Sequence, residues 1–223
     1  MTGLIAERAG QVVAIELDGS LVEHLKAQFG ANRRIKIVQG DILELDIADV
    51  CRHHGVERAF VFGNLPYYIT SPILHRLLEF EQHLGGMAFV VQREVALRIA
   101  AKPGSRDYGY LSVLAQACTC PRVVFDIPPG AFTPPPAVFS ALVTFEMRGM
   151  PPAADERRAF LEFVKLGFAH RRKKLSNNLA GTYSAAGVRE ALRGLGLGEG
   201  VRAEELTVDE LGKLFEVLRR HRR

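Results

Sequence analysis

Asn64-Leu65-Pro66-Tyr67 directly follows a short apolar run, Ala59-Phe60-Val61-Phe62-Gly63, that reads as a buried strand closing in a tight turn. An amide, a proline and an aromatic ring in that order suit a flat ring bearing an amino group. The exocyclic amine of adenine is a poor nucleophile because its lone pair is delocalised into the ring. An Asn side-chain oxygen and a nearby backbone carbonyl can accept its two N–H bonds, draw the nitrogen toward tetrahedral geometry and free that lone pair. Tyr67 offers a face for the base to stack on. Such chemistry needs neither a metal nor a strong base. The plainer alternative is a strand-ending turn in which Asn64 bonds its own backbone and Tyr67 covers the core edge.

Two acidic residues stand in comparable places. Glu16 closes the run Gln11-Val-Val-Ala-Ile-Glu16, and Asp41 follows Ile35-Lys-Ile-Val-Gln39 and Gly40. Ligands of open parallel sheets bind past the carboxyl ends of the strands. An acid at the first of these ends can accept both ribose hydroxyls of a nucleoside, and one a strand further along can accept the amino group of its adenine. Each acid also has a simpler reading, Glu16 as a solvated strand end and Asp41 as a turn residue. The intervals of 25 and 23 residues from Glu16 to Asp41 to Asn64 fit successive strand-helix-strand steps.

The elements that must position these residues have a β-α-β rhythm. Leu21, Val22, Leu25 and Phe29 share one helix face between the first two strands. After Ala59–Phe62, Ser71 is the expected N-cap and Pro72 the first residue of a helix carrying Leu74, Leu77 and Leu78. Gly86–Val91 is a further strand, and the alternation predicts an α/β fold with a mostly parallel sheet covered on both faces. Beyond Leu111, Arg122–Ile127 and Ser140–Glu146 are strands joined by a Pro-rich loop, which predicts a closing hairpin. Gly149-Met-Pro-Pro152 marks a linker, and 157–179, 188–195 and 208–219 read as helices. Two domains are therefore expected, 1–148 and an all-helical 149–223.

Charge separates the same two parts. Residues 1–148 carry 14 Lys+Arg against 15 Asp+Glu, net −1, whereas 149–223 carry 15 against 10, net +5, so the excess positive charge behind the chain's +4 lies in its C-terminal part. Arg171, Arg172, Lys173 and Lys174 follow the apolar stretch 160–168 and could neutralise RNA phosphates. Alternatively they are solvated cations that suit a helix C-terminus. No apolar stretch is long enough to span a bilayer and no basic-then-apolar leader opens the sequence, which suggests the cytoplasm. Cys51, Cys118 and Cys120 contain no C-x-x-C pair, and the adjacent His53 and His54 cannot share a helix or strand face. No metal is expected.

With these motifs assembled, the chain resembles the ribosomal RNA adenine N6,N6-dimethyltransferases of the kasugamycin-resistance type, which use S-adenosylmethionine. The resemblance rests on Val13–Glu16, Gly40-Asp41, Gly63–Tyr68, Val91–Val95, Lys102–Gly109, Ala131–Pro136 and Phe168–Asn178, and spans essentially the whole chain. It implies a Rossmann-like class I methyltransferase sheet with a small helical C-terminal domain. By resemblance Glu16 holds the cofactor ribose, Asp41 and the Ile42 backbone hold its adenine, and Asn64 with the Pro66 carbonyl orients the target N6, Asn64 also bordering the cofactor. Tyr67 and Phe132 sandwich the flipped base, and Arg171, Arg172, Lys173 and Lys174 face RNA. The implied partners are small-subunit ribosomal RNA and the immature small subunit, engaged by a monomer.

One departure is plain. Members of that family begin with a strand and a glycine-rich turn, whereas this chain opens at Met1-Thr2-Gly3-Leu4, matching the helix after that turn. The strand expected between those bearing Glu16 and Asn64 is missing with it, which predicts unpaired backbone edges and an open cofactor pocket. Three other functions compete: a ribosome-assembly factor that binds the same RNA without methyl transfer, an adenine-specific DNA methyltransferase, and a nicotinamide dehydrogenase with Glu16 on the ribose. The DNA enzymes usually carry Asp/Asn-Pro-Pro-Tyr or Phe and a larger recognition domain, and a dehydrogenase has no use for Asn-Leu-Pro-Tyr.

Overall fold

In the computed structural model, which describes residues 1–148 and 154–219, strands β1 (Val12–Glu16) and β2 (Ile35–Gln39) pair in parallel, Glu16 opposite Gln39. They belong to the first of two compact units, Met1–Gly55, with helices α1 (Thr2–Ala6), α2 (Gly19–Phe29) and α3 (Ile47–His53). Asp18 caps α2, its Oδ1 accepting the Ser20 and Leu21 N–H groups at 2.7 and 3.2 Å. Of the face expected to be apolar, Val22 is fully buried while Leu21 is exposed.

The second unit, Val56–Arg223, holds a four-stranded sheet in the order β3 (Ala59–Asn64), β4 (Leu84–Gln92), β6 (Ser140–Met147), β5 (Thr119–Ile127). β3 and β4 are parallel, and β4–β6 and β6–β5 antiparallel. The expectation of one mostly parallel sheet is thus corrected: parallel pairing is confined to β1–β2 and β3–β4. The cause lies in the connections. Helix α4 (Thr70–Leu78) carries the chain from β3 back to a parallel neighbour, whereas the loop from β5 to β6 holds only a short 3-10 turn and permits a hairpin. Among the described residues no strand pairs with both β1 and β3, so each presents one unpaired edge in its own sheet.

Alternation along β4 and β6 places Met87, Phe89 and Val91 on one face opposite Phe145, Val143 and Ala141, all buried, with Ile73, Leu74, Leu77 and Leu78 of α4 buried as well. Phe89 and Phe145 stack at a tilt, ring centroids 5.7 Å apart. On β3 the pattern leaves Phe60 67% exposed, yet its ring lies across the neighbouring strand. A methyl group added at Gly85 would stand 2.9 Å from Phe60 Cε2, and one at Gly86 3.1 Å from Cε1. Helix α4 starts before the expected Ser71 cap, because a 3-10 turn at Tyr67–Ile69 leads straight into Thr70. Pro72 is third in the helix, where its missing N–H would have no intrahelical partner.

Helices α5 (Arg93–Ile99) and α6 (Tyr110–Cys118) precede β5, and α7 (Ala154–Gly167), α8 (Leu175–Asn178), α9 (Ala185–Gly194) and α10 (Val208–Arg219) follow β6. The last four share one apolar cluster with Ala101, Tyr108 and Val113. The linker expected at 149–152 lies outside the described residues. Burial pushes the Cys118 thiol up to about 11, so it packs as a small apolar side chain with little thiolate at neutral pH. Among the described residues no helix is long and apolar enough to cross a membrane.

A buried ion pair ties α7 to the connection between α4 and β4. Arg157 and Glu81, each at most 7% exposed, meet directly, and Arg157 Nη2 donates to the Glu79 carbonyl at 3.3 Å. Removing one partner strands the other charge away from water, so Arg157→Leu is expected to cost about 3–5 kcal/mol, read by chemical denaturation. A loss near zero would show that Glu81 finds water or another donor.

Candidate functional site

In the first unit the two acids lie at adjacent strand tips. The Gly40 N–H donates to the Glu16 carbonyl at 3.0 Å, placing Asp41 two residues beyond Gln39, the tip that faces Glu16. Glu16 Oε1 accepts the Asp18 N–H at 3.0 Å, and Asp41 Oδ1 accepts the Leu43 N–H at 2.9 Å. Each carboxylate is therefore held by its own turn through one oxygen. Among the described residues nothing engages the second oxygen of either, and both residues are half-buried, as is Ile42. Two fixed carboxylates with free acceptor oxygens match what a nucleoside offers, hydroxyl donors on one ring and an amino donor on the other. The neighbouring Asp18 is a cap, its carboxyl held below the usual range by the hydrogen bonds of Ser20 and Leu21.

In the second unit Asn64 ends β3 with its side chain exposed, and among the described residues no group bonds its carboxamide. The Leu65 N–H donates to the Val90 carbonyl at 3.0 Å, so β4 holds the strand up to the turn. The Pro66 carbonyl accepts the Ile69 N–H at 3.2 Å, and the Thr70 hydroxyl lies 3.4 Å away while also approaching the Tyr67 carbonyl at 3.5 Å. That carbonyl has at most one lone pair to spare. Asn64 has all of its acceptor capacity. Tyr67 is half-buried and its Oη lies 2.6 Å from Ser140 Oγ, a contact across 73 residues. Phe132 is half-buried in the loop before β6, its N–H donating to Pro129 at 3.1 Å. Because Ser140 is the first residue of β6, Tyr67 is tethered to the foot of the loop that carries Phe132.

The basic cluster is not a helix end. α7 stops at Gly167, residues 168–174 form turns, and the Asn178 side chain donates to the Gly167 and His170 carbonyls at 2.6 and 3.0 Å, closing the helix from outside. The four cations divide. Arg171 Nε donates to Glu204 Oε2 at 3.0 Å, and its Nη2 donates to the Arg106 and Tyr108 carbonyls at 2.7 and 3.3 Å. Its guanidinium thus clamps the loop Lys102–Gly109. Arg172, Lys173 and Lys174 are exposed, and among the described residues no acid pairs with them. Sequence reasoning missed the clamp and the serine beneath Tyr67. Both depend on partners more than 60 residues away, with no local signal.

A sequence model described as "Ribosomal RNA adenine dimethylase" matches residues 1–220. The chain is 41% identical over 221 residues to the ribosomal RNA small subunit methyltransferase A of Acidobacterium capsulatum, covering 98% of this chain and 77% of that protein. It is 40% identical to the protein of the same name from Desulfitobacterium hafniense, covering 98% and 78%. Among solved structures it is similar to the 23S rRNA methyltransferase ErmE, with a TM-score of 0.72, 26% identity and 98% and 86% of the two chains covered. It also shares the fold of a dimethyladenosine transferase from Plasmodium falciparum, with a TM-score of 0.78, 18% identity and 96% and 85% coverage.

Proposed function

The chain belongs to the ribosomal RNA adenine dimethylase family, and from that premise we propose how its own residues carry out S-adenosylmethionine-dependent N6,N6-dimethylation of adjacent adenosines in small-subunit ribosomal RNA. The observation that carries the reading is the exposed, unengaged Asn64 carboxamide at the tip of β3, one turn from a tethered Tyr67.

Glu16 would hold the cofactor's ribose hydroxyls, and Asp41 with the Ile42 backbone its adenine amino group, through the oxygens that their turns leave free. When bound, the cofactor supplies a methyl group on a sulfonium, an electrophile that already carries its leaving group. The protein's task is then orientation rather than acid–base chemistry. In the first transfer Asn64 Oδ1 accepts one N6–H of the target adenine and the Pro66 carbonyl the other, turning the lone pair out of the ring plane; in the second the single remaining N6–H is held by one of them, and each time the methylated nitrogen releases its proton to water. Tyr67 and Phe132 stack on the extruded base and offset the few kcal/mol that unstacking costs, least in a loop where bases are already partly free.

Arg172, Lys173 and Lys174 supply phosphate contacts, making the segment from residue 149 onward the main RNA-facing part. The substrate is an immature small subunit whose 3′-terminal hairpin loop is accessible, met in the cytoplasm by a monomer. Purified protein, labelled cofactor and immature small subunits from an unmethylated strain test this directly. Two methyl groups on each of two neighbouring adenosines is the expected product map. Tight RNA binding without incorporation would instead assign the chain a purely assembling role.

A further inference from the structure

We propose that Ser140 is a positioning residue for methyl transfer, fixing the ring of Tyr67 at the angle a stacked adenine requires. The inference rests on the reading that Tyr67 stacks on the target base.

Ser140 is fully buried, and its Oγ lies 2.6 Å from the Tyr67 hydroxyl, the short distance of a well-formed O–H···O bond. It is the first residue of β6, in register with Gln92 at the end of β4 and Ile127 at the end of β5. Its backbone is therefore held between two strands, while the adjoining Phe139 carbonyl accepts the Arg93 N–H at 2.9 Å. A rigid hydroxyl thus meets a half-buried tyrosine that belongs to a turn 73 residues earlier.

Tyrosine has two side-chain torsions. The backbone of the 3-10 turn fixes one end of the side chain, a hydrogen bond at the far end fixes the direction of the ring axis, and the preference of a phenol O–H for the ring plane biases that plane toward Ser140. Without it the ring can rotate or lean, and a base stacked on it moves likewise. Because Ser140 also ends the loop containing Phe132, one hydroxyl pair registers Tyr67 against the strand from which the opposite wall of the base slot departs. Among the described residues the Ser140 hydroxyl has no hydrogen-bond partner besides Tyr67. Alanine would pack the same buried volume but leave the tyrosine hydroxyl without its partner.

A double-mutant cycle tests this with Ser140→Ala, Tyr67→Phe and their combination, each checked for folding by thermal unfolding. The kinetic readouts are kcat and KM for immature small subunits. A second readout is the emission of 2-aminopurine replacing the target adenine in the hairpin RNA, which rises when the base leaves its stack and needs no turnover. Each single variant is expected to lower kcat about tenfold, the worth of one hydrogen bond of this kind, with KM nearly unchanged and a smaller 2-aminopurine rise. The combined variant should fall no further than either single one.

Wild-type kcat and emission in Ser140→Ala would overturn the proposal, as would additive losses in the double variant or a loss of thermal stability alone. Tyr67→Ala separates this from failure of the parent reading. If it methylates normally, stacking itself is wrong; if it is inactive while Ser140→Ala is normal, only the role of Ser140 falls. If no variant, wild type included, incorporates methyl groups, the emission measurement alone decides.

Discussion

Asn64→Ala is expected to lower methyl incorporation by about 100- to 1000-fold, the loss that follows removal of one preorganised polar group at a reacting centre. The Pro66 carbonyl cannot compensate, since the Ile69 N–H already occupies one of its lone pairs and the Thr70 hydroxyl crowds it. The carboxamide of Asn64, by contrast, has no competing partner among the described residues, so all of its acceptor strength is available to an adenine amine. Calorimetry with S-adenosylmethionine should find affinity nearly unchanged, because the function proposed above assigns the ribose and adenine contacts to Glu16 and Asp41. Retained methylation would remove Asn64 from the chemistry. A parallel loss of cofactor binding would reassign it to holding the nucleoside.

The second large effect concerns RNA. Replacing Arg172, Lys173 and Lys174 together with Glu is expected to weaken hairpin RNA binding about a hundredfold and to make the dependence of log K on log salt shallower by about 2 to 3. The figure counts three cations rather than four because Arg171 is engaged by Glu204 and by the carbonyls of residues 106 and 108. Filter binding or anisotropy across a salt series measures it. An unchanged slope would show that the RNA backbone lies elsewhere.

Strand tips were legible from sequence because each candidate residue follows a run of β-branched or aromatic residues and precedes a turn. Glu16 and Asn64 end β1 and β3, and Asp41 stands two residues past β2. The helices from 185 and 208 were legible from their apolar period. The closing hairpin of β5 and β6 was legible from its Pro-rich loop, but strand order was not, since nothing local tells that β6 inserts between β4 and β5. The break after Gly167 was hidden as well, because its carbonyl is satisfied by Asn178, eleven residues on, in a stretch that otherwise reads as continuous helix. In the same way Arg171 reads as one of four equal cations until its backbone partners are known. Sequence conveys residue types and local period; it conveys poorly which distant backbone group a long side chain will reach.

The ring of Phe60 lying over Gly85 and Gly86 makes those three positions a single unit of variation. Two successive glycines would ordinarily leave a strand bare and costly to order, and the aromatic face borrowed from next door clothes them. Any lineage that enlarges residue 85 or 86 must either swing the exposed ring of residue 60 off the strand or shrink it, so compensated pairs are expected to be favoured there over single changes.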